Sequence, residues 1–364
     1  MSLIKVKSRG TDNVSGRRNL LINGAMQVAQ RGTSSTGVGA ADNYFTLDRW
    51  YCNTNGNSAG RLTMTQTAIT DLPEFQNCLK FACTTADTSI AAAERFMLEY
   101  KMEGQDAQGL AKGTSSAKPV TVSFYVKGHD SATYTVGLYE GTTGRKIAAT
   151  FPVTTSWVRQ TVTFPGDTTG VIPNNNTAQL NLRFYLHGGT NYTSGTFGTS
   201  WNGGGNTVQI SSSGNSIFES TSATFFLTGV QLEVGDSASD FEHRSFGEEL
   251  DLCERYFQTY SDRMWQGTNE HAANYNMYLD GVFTKRMRAA PTATLVGEVN
   301  IARPQVGVSQ RPNVIDLTSP TGFRRCGWPT SGTYGGQLGS HGDAYYRMQL
   351  GSGPANQIQF SAEL

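Results

Sequence analysis

Five ionisable side chains fall within eleven residues, Glu233, Asp236, Asp240, Glu242 and His243, in the stretch FFLTGVQLEVGDSASDFEHRS at 225–245. Two carboxylates flanking a sugar can act as general acid and as nucleophile or base. This spacing, however, sets no two of them across a cleft. Val230, Leu232 and Val234 alternate onto one face of a strand, so Glu233 turns to the other. Asp236 and Asp240 sit in a turn, where short polar side chains bond local backbone. Glu242 and His243 stand just ahead of an expected helix, whose dipole favours an anion there. Turn and cap roles are therefore preferred to catalysis.

Nucleophilic chemistry has no better support. The string GNSAG at 56–60 fits G-x-S-x-G but is followed by the alternating segment RLTMTQTA and not by a helix, so no nucleophile elbow is read, and the histidines (His129, His187, His243, His271, His341) are scattered over strand ends and loops. No Walker A sequence and no G-x-G-x-x-G after a strand is present; the GGG at 203–205 reads as loop. The expectation is a protein that is not an enzyme. Sugar binding needs less: aromatic rings to stack on apolar sugar faces, with amides, carboxylates and hydroxyls to orient them. The loop 187–216 offers Tyr192, Phe197 and Trp201 among Gly, Ser, Thr and Asn. The C-terminal region offers Trp265, Trp328, Tyr334, Tyr345 and Tyr346. Tyr192, Trp201, Trp265, Trp328 and Tyr334 are the glycan-binding candidates. Trp50 and Trp157, on strand-like segments, are expected in the core.

The elements that must position these groups are strands. Residues 120–127, VTVSFYVK, put Val120, Val122, Phe124 and Val126 on one face; 133–140, 157–164, 179–187 and 224–234 alternate likewise. Even 95–103, RFMLEYKME, alternates Phe96, Leu98, Tyr100 and Met102 and reads as a strand despite its helical propensity. Strands separated by Gly-, Asn- and Thr-rich turns predict an all-β antiparallel sandwich over 19–245. Ser245 with Glu248 fits a capping box, and Leu250, Cys253, Tyr256, Phe257 and Tyr260 space a helix over roughly 246–259. A smaller C-terminal β-domain, with alternating segments such as 275–285 and 345–350, completes a unit over 246–364.

Composition narrows the partners. The 29 basic and 29 acidic residues of the 364-residue chain cancel, which removes any electrostatic reason to expect nucleic acid or an anionic membrane. Only 16% of residues are charged, and a surface so poor in charge favours a subunit of a larger assembly. Five scattered cysteines are no disulfide framework, and buried free thiols are expected. No apolar run reaches membrane-spanning length, and the N-terminus has no apolar signal core. Residues 1–18 read either as a disordered terminus or as a docking segment. Within MSLIKVK, Leu3, Ile4, Lys5 and Val6 alternate and could add as a strand to a partner's sheet edge.

Two segments carry a resemblance: NLLINGAMQVAQRG at 19–32 with DRW at 48–50, and TGVQLEV at 228–234 with DFEHRSFGEELDLCERYFQ at 240–258. Together with the flanking strands and the terminal FSAEL, they resemble the jelly-roll, carbohydrate-binding-module-like proteins of tailed-phage tail fibres and virion adhesins. The resemblance covers nearly the whole chain. It implies a structural or host-recognition component of the virion tail, assembled in the host cytoplasm, commonly a homotrimer. Such a protein would dock on other tail or baseplate proteins through an N-terminal virion-attachment lead, here residues 1–18, and bind host surface glycans multivalently. The absence of coiled-coil, collagen-like and β-helical repeats points to a short knob or tip. Binding modules of this kind often hold a structural calcium, for which Asp48 and Glu233 are candidates if first and last strands pair; the ion needs six to eight oxygens. A tail or baseplate connector with no receptor site is the alternative. A polysaccharide depolymerase is disfavoured by the missing β-helix and paired acids.

Overall fold

The computed structural model describes residues 18–56, 58–261, 265–269, 276–297, 299–302, 309–310, 314–316, 320–327, 346–350 and 356–364. Leu3, Ile4, Lys5 and Val6 lie outside them. Two compact units divide the chain between Ser245 and Phe246.

The first unit is a jelly-roll β-sandwich. Its strands are β1 (Ser34–Val38), β2 (Trp50–Asn55), β3 (Arg61–Ala68), β4 (Asn77–Thr85), β5 (Arg95–Glu103), β6 (Val120–Gly128), β7 (Ala132–Glu140), β8 (Lys146–Val153), β9 (Val158–Phe164), β10 (Ala178–Gly188) and β11 (Thr224–Val234). A one-turn helix α1 (Thr190–Thr193) follows β10. One sheet has the order β1-β3-β4-β11-β6-β9, the other β2-β5-β10-β7-β8, and every pairing is antiparallel.

The two inner faces meet in one core. Phe96, Leu98, Tyr100 and Met102 of β5 face Val120, Val122, Phe124 and Val126 of β6, with Leu180, Leu182, Phe184 and Leu186 of β10 and Trp50 of β2 among them. Edge-to-face pairs such as Phe124–Phe184 and Trp50–Tyr100 fill the space between the sheets. Trp50 is fully buried, and its indole N–H donates to the carbonyl of Asn23 at 3.0 Å. Trp157 departs from expectation. It stands one residue before β9, where Val158 is in register with inward Val126, so its own side chain takes the outer face and is half-buried.

The second unit opens with α2 (Phe246–Cys253). The helix stops there instead of running to residue 259, and Phe257 begins β12 (Phe257–Tyr260), paired with β21 (Gln357–Ser361). Apolar residues at three- and four-residue spacing served both structures here. The carbonyl of Glu254, the helical partner of an amide at 258, is taken instead by the side chain of Gln258 at 2.9 Å. The remaining strands are β13 (Trp265–Asn269), β14 (Asn276–Val282), β15 (Thr292–Val296), β16 (Val299–Ala302), β17 (Ser309–Gln310), β18 (Val314–Asp316), β19 (Gly322–Gly327) and β20 (Tyr346–Leu350). They form a three-stranded sheet, β12-β21-β15, and a seven-stranded one, β17-β16-β20-β13-β14-β19-β18. Tyr256, Phe257, Tyr260, Phe283, Met287, Ile358 and Phe360 are buried.

Candidate functional site

Two of the acids of 233–243, Glu233 and Glu242, are engaged in structural hydrogen bonds. Glu233 accepts from the Ser239 amide at 2.7 Å, the Ser239 hydroxyl at 2.8 Å and Gln231 Nε2 at 3.1 Å. Glu242 accepts the backbone N–H groups of Arg18 and Asn19. His243 packs on Phe75 and Phe241, at 5.3 and 4.9 Å between ring centroids. Segment 236–245 is thus a strap folded over the outer face of the six-stranded sheet.

The calcium pairing is corrected. Asp48 stands before β2 in the five-stranded sheet, and its oxygens accept from the Gln30 amide at 3.1 Å, Gln30 Nε2 at 2.5 Å and Arg31 Nη1 at 3.4 Å. Glu233 lies on β11, whose partners are β4 and β6, and it is consumed by Ser239 and Gln231. The first and last strands do not pair, and the two carboxylates share no partner among these bonds. Among the described residues no group of three or more His, Cys, Asp or Glu could hold a metal ion.

Of the sugar candidates of the long loop, Tyr192 is corrected. Tyr192 is 4% exposed, packed with Met97, Tyr185 and Ile210, under the Arg95 guanidinium at 4.9 Å. Its hydroxyl accepts from Asn55 Nδ2 at 2.5 Å. Trp201 is half-buried against the core, its indole N–H donates to the Pro165 carbonyl at 2.6 Å, and Lys112 Nζ lies 4.7 Å over its ring. The loop needs these anchors to fold back on the sheet. Asn202 and Lys146 exchange backbone hydrogen bonds, and the Ala148 amide donates to the Gly198 carbonyl. Trp265 lies on β13 with its side chain outside the described set; Trp328 and Tyr334 lie outside the described residues altogether.

What the loop covers defines what it leaves. On the outer face of the five-stranded sheet, Asn53, Met97, Tyr185, Thr135 and Thr150 form one cross-strand row. The loop closes over it, with Tyr185 donating to Gln209 at 3.2 Å and the Ser211 amide to Thr135 at 3.3 Å. Two further rows lie beside it: Tyr51, Glu99, Arg183, Gly137 and Ala148, then Lys101, Asn181, Tyr139 and Lys146. Their polar groups are fixed. Buried Glu99 accepts from Arg183 Nε at 2.6 Å and Asn181 Nδ2 at 2.9 Å. The Arg183 guanidinium sits 3.8 Å over the Tyr139 ring, and Lys101 Nζ 3.7 Å over Tyr51. Tyr51, Tyr139 and Lys101 are half-buried. The Tyr51 hydroxyl is pushed up to about 12, by burial first and then by Asp42, so it remains a neutral donor. Asn181 must give its amide nitrogen to Glu99, and its side-chain oxygen is buried without a hydrogen-bond partner. Sequence reading missed this array because each residue sits at a polar position of an alternating strand, where solvent is the default expectation.

A second arrangement was also missed. His187 Nδ1 lies 2.8 Å from Ser216 Oγ and Nε2 lies 3.3 Å from Glu94, the order of a nucleophile, base and acid. An ionised Glu94 only accepts, so Nε2 carries the proton and Nδ1 accepts from the serine. All three residues are buried, Phe218 packs edge-on at 5.1 Å, and Ser216 Oγ also accepts the Phe218 amide. With no open face for a substrate, these bonds act as a fastener between β10, the chain before β5 and the segment after the loop.

No family model and no curated protein sequence matches the chain. Among solved structures, the enzymatically active domain of tailspike protein 4 of bacteriophage CBA120 is similar at TM-score 0.30 and 8% identity, over 59% of this chain and 21% of that one. The chain therefore spans about a fifth of the length of that domain. The family 11 carbohydrate-binding module of Clostridium thermocellum, in complex with a β-1,3-1,4-mixed-linked tetrasaccharide, has TM-score 0.29 and 11% identity over 58% of this chain and 98% of its own. The carbohydrate-binding module TmCBM61, in complex with β-1,4-galactotriose, has TM-score 0.29 and 9% identity over 60% and 99%.

Proposed function

We propose that the chain is a tail-fibre subunit of a phage virion that attaches to host surface glycans without a catalytic step. One observation carries the binding reading: Tyr51 and Tyr139, both half-buried, lie on a rigid polar sheet face, each with a cation fixed over its ring. Tyrosines give an apolar face and a hydroxyl at small entropic cost. Lys101 and the tyrosine hydroxyls supply the donors, and Arg183 and buried Glu99 hold the layer beneath them in place, so little ordering accompanies binding. β2 and β7 lie three strand spacings apart, about 14 Å, which suits a stretch of glycan chain. Assembly as a homotrimer would raise weak single-site affinity through effective concentration. The virion reading draws on the motif pair at 19–50 and 228–258.

The test is titration of neutral β-linked gluco- and galacto-tetraoses into the full chain. Binding weakened at least tenfold by Tyr51→Ala and by Tyr139→Ala is expected. No binding by the wild type returns the chain to the connector reading. Deletion of residues 1–16 should abolish incorporation into particles; unchanged incorporation removes the docking role.

A further inference from the structure

The outer face of the six-stranded sheet carries a second array that neither the strap nor the loops absorb. In register across four strands stand Trp157, ahead of β9, Lys127 on β6, Phe226 on β11 and Lys80 on β4. All four are half-buried. Trp157 and Phe226 meet edge to face at 6.2 Å. Lys127 Nζ lies 5.0 Å from the Trp157 ring centroid and 5.1 Å from that of Phe226, while Lys80 Nζ reaches the same Phe226 ring at 5.5 Å. From the loop between β3 and β4, exposed Asp71 accepts the Trp157 indole N–H at 2.9 Å and a proton of Lys127 at 2.5 Å, which fixes the indole's orientation.

Two ammoniums thus flank one phenyl ring, with a single carboxylate bound to one of them. The Lys80 ammonium makes no hydrogen bond or ion pair among the described residues. Like charges on either side of one ring repel, and a bound anion lowers that cost. A dry protein contact would instead desolvate the Lys80 ammonium without a partner, which is unfavourable. We propose that this row is a binding surface for an acidic saccharide, its pyranose ring laid on Trp157 and its carboxylates drawn to Lys127 and Lys80, which stand on either side of Phe226. Lys127 spends one of its three donors on Asp71 and keeps two for the ligand. The surface is separate from the Tyr51–Tyr139 face and stands or falls independently of it.

The test uses the full chain at low salt, with tetragalacturonate, tetramannuronate and a sialylated trisaccharide as probes and methyl-esterified tetragalacturonate as the uncharged control. Expected are binding of at least one acidic probe, a loss of tenfold or more on raising the salt or on esterification, and a similar loss in Trp157→Ala and in Lys80→Glu. Tyr51→Ala should leave this binding unchanged. Circular dichroism melts of both variants should match the wild type, so a loss of binding is not unfolding. Failure of all three acidic probes overturns the proposal, as does binding that survives both substitutions. So does a change in sedimentation showing that Trp157→Ala breaks a contact between copies of the chain.

Discussion

The carboxylate of Glu242 accepts the backbone N–H of Asn19 at 2.8 Å, across 223 residues of chain. It belongs to a knot in which the two motif segments close the sandwich on each other. Asn19 Nδ2 donates to the Val230 carbonyl, and its Oδ1 accepts from the amides of Leu21 and Leu232. Arg244 donates to the carbonyls of Asn19 and Leu21. The two segments are joint parts of one closure, which gives a physical reason for them to occur as a set.

Asn19→Ala is accordingly expected to destabilise the first unit by roughly 2–4 kcal/mol, since it strands buried backbone groups as well as deleting bonds. Gly24→Ala should be comparably severe, because a Cβ there would stand 2.1 Å from the Val230 carbonyl oxygen. Urea unfolding midpoints of the two variants measure both effects. A midpoint within error of wild type for Asn19→Ala would mean that the knot does not hold the sandwich.

His187 makes stability depend on pH near neutrality. Burial lowers its pKa below the ordinary histidine value, against the opposing pull of Glu94. The folded chain therefore resists a proton that the unfolded chain takes up below about pH 6.5. Stability is full above that pH and declines as pH falls from it toward the folded pKa, by at most about 1.4 kcal/mol per pH unit. Unfolding midpoints between pH 8 and pH 5 should show this slope, and His187→Gln should flatten it. An unchanged slope in the variant would assign the dependence to other groups.

Asp167 ties the turn after β9 to β8 and to the chain after β5. Burial alone would raise its pKa, but hydrogen bonds from Arg145 at 2.7 and 2.9 Å and from Lys112 at 2.8 Å outweigh it and hold the carboxyl well below the usual range. Asp167→Asn would leave the buried Lys112 ammonium without its counter-charge, at a cost of about 3 kcal/mol. In the wild type the stabilisation is complete above pH 4 or so and is lost as pH falls through the depressed pKa. Thermal melts of the variant at pH 7 check the first point. An unchanged melting temperature would show that Lys112 relaxes to solvent.

Alternation made the sandwich legible. Strands such as 95–103 and 224–234 declared themselves because one face of each is continuously apolar, and burial on that face is what periodicity reports. The same rule hid the outer faces. Glu99, Asn181 and Arg183 occupy polar positions that pattern reading assigns to water, yet the loop folded over the adjacent row makes them a fixed, nearly dry layer. Trp157 was misplaced because an aromatic beside a strand reads as core, and only the register of Val158 with Val126 shows which way it turns. The helix ran too far in sequence because residues 250, 253, 257 and 260 fit a helical stripe, while the long-range pairing of 257–260 with 358–361 has no local signal. Tyr192 and Trp201 drew attention as bulky residues in a polar loop; they are what anchors that loop.

The cysteines supply a last check on the core. Burial pushes the Cys78 thiol up to about 12 and raises Cys52 and Cys83 as well, with Cys52 fully enclosed between the sheets. At pH 8 a thiol of that pKa is ionised to roughly one part in ten thousand, against about a quarter for an ordinary cysteine, and the thiolate is the reactive form. Iodoacetamide should therefore alkylate Cys52 and Cys78 at least a thousandfold more slowly in the folded chain than in urea, as read by peptide mass spectrometry. The packing around Cys52 adds steric exclusion to the chemical one, so its modification should track global unfolding. Rapid labelling of Cys52 under native conditions would show that the two sheets part locally, and with them the support for the face that carries Tyr51.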